Sequence, residues 1–508
     1  MNTNIFSGFE EGRCSFAFLK HRLLLVGTQL ICLLFLAGAM YGVLGGASLP
    51  GTEIFALLLL AASAWLGGVL VSCLKLPPLL GMLAVGIFFR NASFISYHAD
   101  ISIMWASTLR DISLVIILLK AGLGLDPPKL MELKLDVIKL SFIPCLFEAA
   151  SSAVLVHYLL ALPWIWSFML GFIVSAVSAA VLVPGMLTLK EKGLGLESGI
   201  PTLLMAAVSI DNIVALTGFI VTFSIITSSE NLTWTLITKS LEPFIGLLMG
   251  TIIGIFLWYL PSENTPEPVL VFYRSSALCL GGLCFNFVSK RVGMAGAGAL
   301  ACVSFAFISS LKWRTQEHYK HVTYVIGIMW NLIEPFLFGL IGAEITMNSL
   351  GTHIGYAPLA LCLGVLIRVL STIFALIGSK LNLKEKTFVS TSWIAKATVQ
   401  AAVGSQALDY ARSHRTEPNF KEYSQQVLMM SVLSIILTAP LGAAFIDWLA
   451  PHLLNEDCST FSTSPESSGE EERERISEVT VTDYGARRSA SVGEIEGFIR
   501  GLKSGVNV

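Results

Sequence analysis

The sequence predicts an all-α polytopic membrane protein with about fourteen transmembrane helices. Three observations carry this. Of the 508 residues, 54% are apolar and only 13% are charged, whereas soluble globular chains carry about 25% charged residues. The missing charge leaves behind runs of roughly 20 apolar residues, the length a helix needs to cross the hydrocarbon core. Positive charge then falls mainly in alternate loops, as the positive-inside rule requires of a threaded chain.

The first seven runs lie at 22–44, 53–73, 77–90, 104–124, 135–160, 163–187 and 200–227. The second seven lie at 234–260, 268–288, 293–311, 323–345, 355–380, 387–408 and 425–449. With Arg13, Lys20 and Arg22 in the cytosol, an even number of crossings returns the C-terminus there. Lys190, Lys192, Lys312, Arg314, Lys320, Lys380, Lys384 and Lys386 then face the cytosol too, which the rule favours. The N-glycosylation sequons at Asn91 (Asn91-Ala92-Ser93) and Asn231 (Asn231-Leu232-Thr233) fall outside. Lys290-Arg291 and the loop at Arg412 run against the rule. The expected organisation is a cytosolic segment at 1–21, a transmembrane domain at 22–450, and a cytosolic tail at 451–508. The tail is Ser- and Glu-rich, and such composition stays disordered because it buries too little apolar surface. Two sequons point to a membrane on the secretory route, with the plasma membrane as default and an organelle as the alternative.

Composition also excludes. A net charge of -2 offers nothing to nucleic acid. The nine cysteines are scattered, mostly within apolar runs, with neither metal nor disulfide-framework spacing. No Gly-rich phosphate loop, metal cluster or triad-like set stands in a soluble stretch, so an enzyme is the poorest reading and no cofactor is expected.

The informative residues are the ionisable ones inside apolar runs, because charge at membrane depth is costly and marks function or pairing. Glu148, Asp211, Arg368 and Lys396 each lie mid-span. Two acids and two bases suffice for neutrality. Glu148 and Arg368 are read as a structural ion pair, and Asp211 and Lys396 as a working pair that faces each other. The bland alternative is that all four only tie helices together. Glu334 and Lys120 are secondary candidates nearer helix ends. In the sixth run, Ser175-Ala176-Val177-Ser178-Ala179-Ala180 is polar and weakly helical ahead of Pro184-Gly185, and in the thirteenth Thr398 and Gln400 follow Lys396. Hydroxyls, amides and freed carbonyls at such places suit an ion site. Two sets of seven runs also allow an inverted repeat.

At these residues the chain resembles the NHA branch of animal sodium/proton antiporters, in the cation/proton antiporter superfamily. The phrases that carry it are Ala121-Gly122-Leu123-Gly124-Leu125-Asp126, Gly199-Ile200-Pro201-Thr202-Leu203-Leu204-Met205-Ala206-Ala207, Phe338-Gly339-Leu340-Ile341-Gly342-Ala343-Glu344 and Lys396-Ala397-Thr398-Val399-Gln400-Ala401-Ala402. They span about residues 75–450. The resemblance implies an inverted-repeat antiporter-type fold with two crossing broken helices, here the sixth and thirteenth. It also implies a homodimer moving a monovalent cation against protons across the lipid bilayer. The family's Asp-Asp pair falls on Asp211 and Asn212, its basic partner on Lys396, and its Glu–Arg pair on Glu148 and Arg368. This chain departs twice: the second acid is the amide Asn212, and the Ser-Pro-Ala break reads Ser178-Ala179-Ala180.

The expected ion- and proton-binding set is therefore Asp211, Asn212, Lys396, Ser178 and Thr398. The leading function is a Na+/Li+/K+–proton antiporter. Because one acid is missing, a proton-coupled chloride transporter on the same fold is the second reading, and a non-transporting regulatory homologue the third.

Overall fold

The computed structural model describes residues 27–455, apart from 29–30, 32–33, 36–37, 44, 50, 74–75, 93–100, 126–133, 228–231, 263–264, 317, 346–354 and 414–417. Every long element among them is a helix: α1 (Glu53–Cys73), α2 (Pro78–Asn91), α3 (Ile103–Gly124), α4 (Lys134–Leu160), α5 (Trp164–Ser175), α6 (Ala179–Glu191), α7 (Ile200–Thr227), α8 (Leu232–Phe256), α9 (Glu267–Arg291), α10 (Ala295–Trp313), α11 (Tyr319–Gly342), α12 (Tyr356–Ala375), α13 (Leu383–Ser392), α14 (Thr398–Val403), α15 (Gln406–Ser413) and α16 (Pro418–Leu453). Eight spans among the described residues are long and apolar enough to cross a membrane. That supports a multi-pass membrane protein but not the number fourteen. The run at 22–44 is described only in part. Residues 1–21, 456–508 and Asn231 lie outside the described residues.

The packing is that of a protein dissolved in lipid. Apolar side chains stand exposed, as on α8, where Phe244 and Leu248 are 66% and 60% accessible. Meanwhile Arg110, Arg274, Arg368 and Lys396 are among the largest fully buried side chains. Without a hydrophobic force between helices, close approach depends on small residues. On α8, Gly246, Gly250 and Gly254 form one stripe against Ala297, Ala301 and Ile308 of α10, and a Cβ at any of the three would collide.

The described chain divides into two compact units. The first holds residues up to Arg110, Ile333–Gly351 and Arg412–Arg415. In it α1 meets α2 at Gly67 and Gly81, and α2 meets the end of α11 at Gly86 and Gly342. The second holds Asp111–Leu332, Thr352–Ala411 and the chain from Thr416 onward. In it α4 packs between α5, α7 and α12, and α16 packs on α5, α6 and α13.

Two crossings of this second unit are interrupted. Between α5 and α6 the chain is extended at Ala176 (ψ 135°) and Ser178 (ψ 108°). The break falls in the polar stretch, not at Pro184, which sits inside α6. Between α13 and α14 the chain leaves helix from Trp393 to Ala397. Each break supplies what the other lacks: Ser178 N donates to Ala395 O at 2.7 Å. Non-helical backbone at membrane depth is tolerated only where its polar groups are met inside the protein.

Candidate ion site

Asp211 comes from the middle of α7, Glu148 from α4, Arg368 from α12, and Lys396 from the second break. All four are buried to 1% exposure or less. They form one chain of contacts. Arg368 Nη2 donates to Asp211 Oδ1 at 2.7 Å, and Arg368 Nη1 to Glu148 Oε2 at 2.6 Å. Lys396 Nζ lies 2.8 Å from Glu148 Oε1 and donates to Oε2 at 2.9 Å. Two acids and two bases leave this cluster formally neutral.

The pairing differs from the sequence expectation in one respect. Asp211 bonds to Arg368, and the ammonium of Lys396 bonds to Glu148. The reason is the shape of the cations. A guanidinium is a planar fork of five donors and spans several acceptors, whereas an ammonium is a compact point charge. Arg368 therefore takes both carboxylates, and its Nε also donates to Trp393 O at 2.8 Å. It donates to Ser175 O as well. Those two carbonyls belong to the two breaks, so one side chain ties both.

Backbone and amide groups complete the surroundings. Val177 N donates to Asp211 Oδ2 at 2.9 Å. Gln400 Nε2 donates to Ile173 O and Ala176 O, each at 2.8 Å, holding the carbonyls that the end of α5 leaves open. Thr438 Oγ1 of α16 accepts from Lys396 N at 3.0 Å. Gln400, singled out from sequence as an amide beside Lys396, acts here through its Nε2 on the open carbonyls. The part played by Thr438 was missed from sequence, which carried no signal for it.

The other candidates sort by place. Ser178 caps α6, and its buried Oγ has no hydrogen-bond partner; the Oδ1 of Asn212 is in the same condition. Asn212 also lines a cavity of about 20 Å³ otherwise walled by apolar residues such as Leu118, Val303 and Val399. Thr398 opens α14 and is buried. Lys120 is exposed, 5.8 Å from the centre of the Trp330 ring, and Glu334 is half-buried in the other unit. Asn91 ends α2, and its Nδ2, the atom a glycan would occupy, donates to Ile87 O at 2.8 Å and Ile345 O at 2.9 Å.

Residues 57–450 match the family described as "Sodium/hydrogen exchanger, transmembrane". The chain belongs to the sodium/hydrogen exchanger family. It is 41% identical over 437 residues to human sodium/hydrogen exchanger 9B2, covering 84% of this chain and 80% of that one. It is 40% identical over 423 residues to human sodium/hydrogen exchanger 9B1, covering 82% and 81%. Among solved structures, the sodium proton antiporter MjNhaP1 from Methanocaldococcus jannaschii superposes with a TM-score of 0.63 at 20% identity. That match covers 79% of this chain and 98% of the antiporter. The likeness supports the fold, and the two human relatives support the exchanger family.

Proposed function

We propose that this chain exchanges a monovalent cation, with sodium foremost, for protons across a membrane, and that Asp211 is the group for which they compete. The observation that carries the proposal is a neutral cluster of two acids and two bases, buried where two broken helices meet. The exchanger relatives support sodium–proton exchange and lend nothing to the chloride or regulatory readings.

The chemistry follows from the bonds. Each Asp211 oxygen accepts one hydrogen bond, from Arg368 Nη2 and from Val177 N. Each keeps a second lone pair. A cation that binds there takes further oxygens from Ser178, Asn212 and Thr398. A proton on the same carboxylate cancels its charge and expels the cation, which is one-for-one competition. Where the resemblance implies a second aspartate, Asn212 supplies only an amide oxygen. At about 4 Å and an effective dielectric near 20, a missing carboxylate removes roughly 4 kcal/mol of attraction. That is about a thousandfold in affinity, so this exchanger is a weak binder of sodium. We further propose a homodimer in the plasma membrane, with both termini cytosolic and each protomer carrying its own crossing.

The test is flux. Purified chain in liposomes holding a pH dye receives sodium, lithium or potassium, and chloride is replaced in a parallel series. Cation-dependent proton movement that survives chloride replacement is the expected result. Asp211→Asn should abolish it while leaving the dimer intact on size-exclusion chromatography. Asn212→Asp should tighten sodium dependence by at least tenfold. Flux that follows chloride and ignores every cation would overturn the proposal.

A further inference from the structure

The break between α5 and α6 leaves its peptide groups to partners from other elements, and one of those peptides is held at both ends. The carbonyl of Ala176 accepts from Gln400 Nε2 at 2.8 Å, and the N–H of Val177 donates to Asp211 Oδ2 at 2.9 Å. These two groups belong to the same peptide unit. In a planar trans peptide the C=O and the N–H point in opposite directions, so Gln400 and Asp211 sit at opposite edges of one plane. Gln400, Ala176, Val177 and Asp211 are each 1% exposed or less, so neither bond is open to bulk water.

The plane lies outside the helical ladder. Residues 176–178 are not helical, and Ala176 is extended at ψ 135°. Its carbonyl is one of those a helix end leaves for outside partners. The Gln400 amide is committed to that end. Its Nε2 also donates to Ile173 O at 2.8 Å, so both N–H groups are spent on carbonyls. Its buried Oε1 has no hydrogen-bond partner among the described residues. Turning the amide over would set Oε1 against two carbonyl oxygens, so the chemistry fixes which way it points. An amide whose oxygen accepts a hydrogen bond is also a stronger donor at its N–H, because chained hydrogen bonds polarise one another.

We infer that Gln400 is a positioning residue for exchange: it aims and polarises the Ala176–Val177 peptide, so that the Val177 N–H supports Asp211 as the carboxylate that receives the cation. The inference rests on the reading of Asp211 as the group for which cation and proton compete. A hydrogen bond to a carboxylate supports its ionised form, so losing this donor tips the competition toward the proton. The charged and titratable groups around Asp211 are Arg368 of α12, Glu148 and Cys145 of α4, and Lys396 of the second break. Gln400→Met leaves all four in place and removes the two N–H donors from a side chain of similar size.

The test measures sodium-dependent proton flux in liposomes over a range of sodium concentrations, at neutral and at alkaline pH. Gln400→Met should raise the sodium KM roughly tenfold at neutral pH, the worth of one hydrogen bond to a charged group. The rise should shrink at alkaline pH, where protons are scarce, and Vmax per folded protein should stay close to native. Val177→Pro removes the N–H itself, and Ala176 already has the extended backbone that a residue before proline prefers. It should give the same pH-dependent rise, and combining it with Gln400→Met should add little, since both act through one hydrogen bond. A native KM in Gln400→Met overturns the inference, whether or not the melting temperature falls. Additive effects of the two substitutions overturn the route through the peptide. If Gln400→Met yields no folded protein, Gln400→Asn, whose amide is one methylene short, replaces it with the same expectation; failure of both to fold makes Gln400 a structural residue and overturns the positioning role. Asp211→Asn separates this result from the reading beneath it. If that variant still exchanges sodium, the reading of Asp211 fails and the role of Gln400 with it. If it is inactive while Gln400→Met keeps a native KM, the role of Gln400 alone fails.

Discussion

Arg368 carries more of the site than any other residue. It bonds to both carboxylates of the cluster and to a carbonyl from each break. Removing one partner of a buried pair costs about 3–5 kcal/mol because a charge is stranded. Arg368→Ala strands Asp211, since Glu148 keeps Lys396, and also leaves the Trp393 and Ser175 carbonyls without their donor, so it should fall at or above the top of that range. Lys396→Ala should cost less, since Glu148 keeps Arg368. Glu148→Gln added to Arg368→Ala should restore only part of the loss, since Asp211 stays exposed to the same deficit. Thermal unfolding of the purified variants measures all three. Glu344 offers a pH test. Burial works against its charge, but the Arg412 bond and the charges of Arg110, Arg412 and Arg90 hold its carboxyl below the ordinary 4.5. A depressed carboxyl contributes stability above its unfolded value and loses it as pH falls through the folded one. The gap in melting temperature between native chain and Glu344→Gln should therefore be full above pH 4.5 and close progressively below it. At this scale the sequence was readable where composition is extreme: an ion in an apolar run stands out whatever the fold. Which acid meets which base was not readable. That depends on how α4, α7 and α12 rotate about their axes, and no local pattern encodes it.

The helices themselves follow from apolar runs, and their ends from local chemistry. Asn382 and Glu385 cap α13 reciprocally, with Asn382 Oδ1 accepting from Glu385 N at 2.9 Å and Glu385 Oε2 from Asn382 N at 2.8 Å. Legibility fails where tertiary contacts override the pattern. The final helix was expected at 425–449 but runs from Pro418 to Leu453, through Pro440 and over a polar first turn. Phe420 and Tyr423 of that turn pack on Trp166, which anchors residues that hydropathy alone would leave in a loop. The opening at 176–178, by contrast, falls in the polar stretch ahead of Pro184 that reads as weakly helical, and Asp211, Gln400 and Ala395 take up the released backbone groups there. The glycine stripe of α8 makes an element-scale prediction. At Gly250 an added methyl meets Ser304 Oγ and the Ala301 carbonyl. Backbone cannot retreat as a side chain can, and overpacking typically costs about 1–3 kcal/mol. Gly250→Ala should lower the melting temperature accordingly, while Gly327→Ala, which meets open space, should be silent.

For the whole molecule, loop charge makes a claim that glycosylation mapping can check. An acceptor sequon placed within 312–320 should stay unmodified, and one placed at 291–293 should be glycosylated. The reverse result would invert the chain. The neutral cluster has a last implication, for how such a site can change over generations. Any single substitution that creates or removes a charge at 148, 211, 368 or 396 leaves an odd charge in the low-dielectric interior. Variation there has to arrive in compensating pairs, and the intermediate is the unstable one. Position 212 stands outside that parity. An aspartate there would be a fifth charge, answered only when a cation is bound, so its exchange for asparagine leaves the other four in balance. On the proposed reading of Asp211, ion affinity is thus free to drift at position 212 without upsetting the balance of the other four charges.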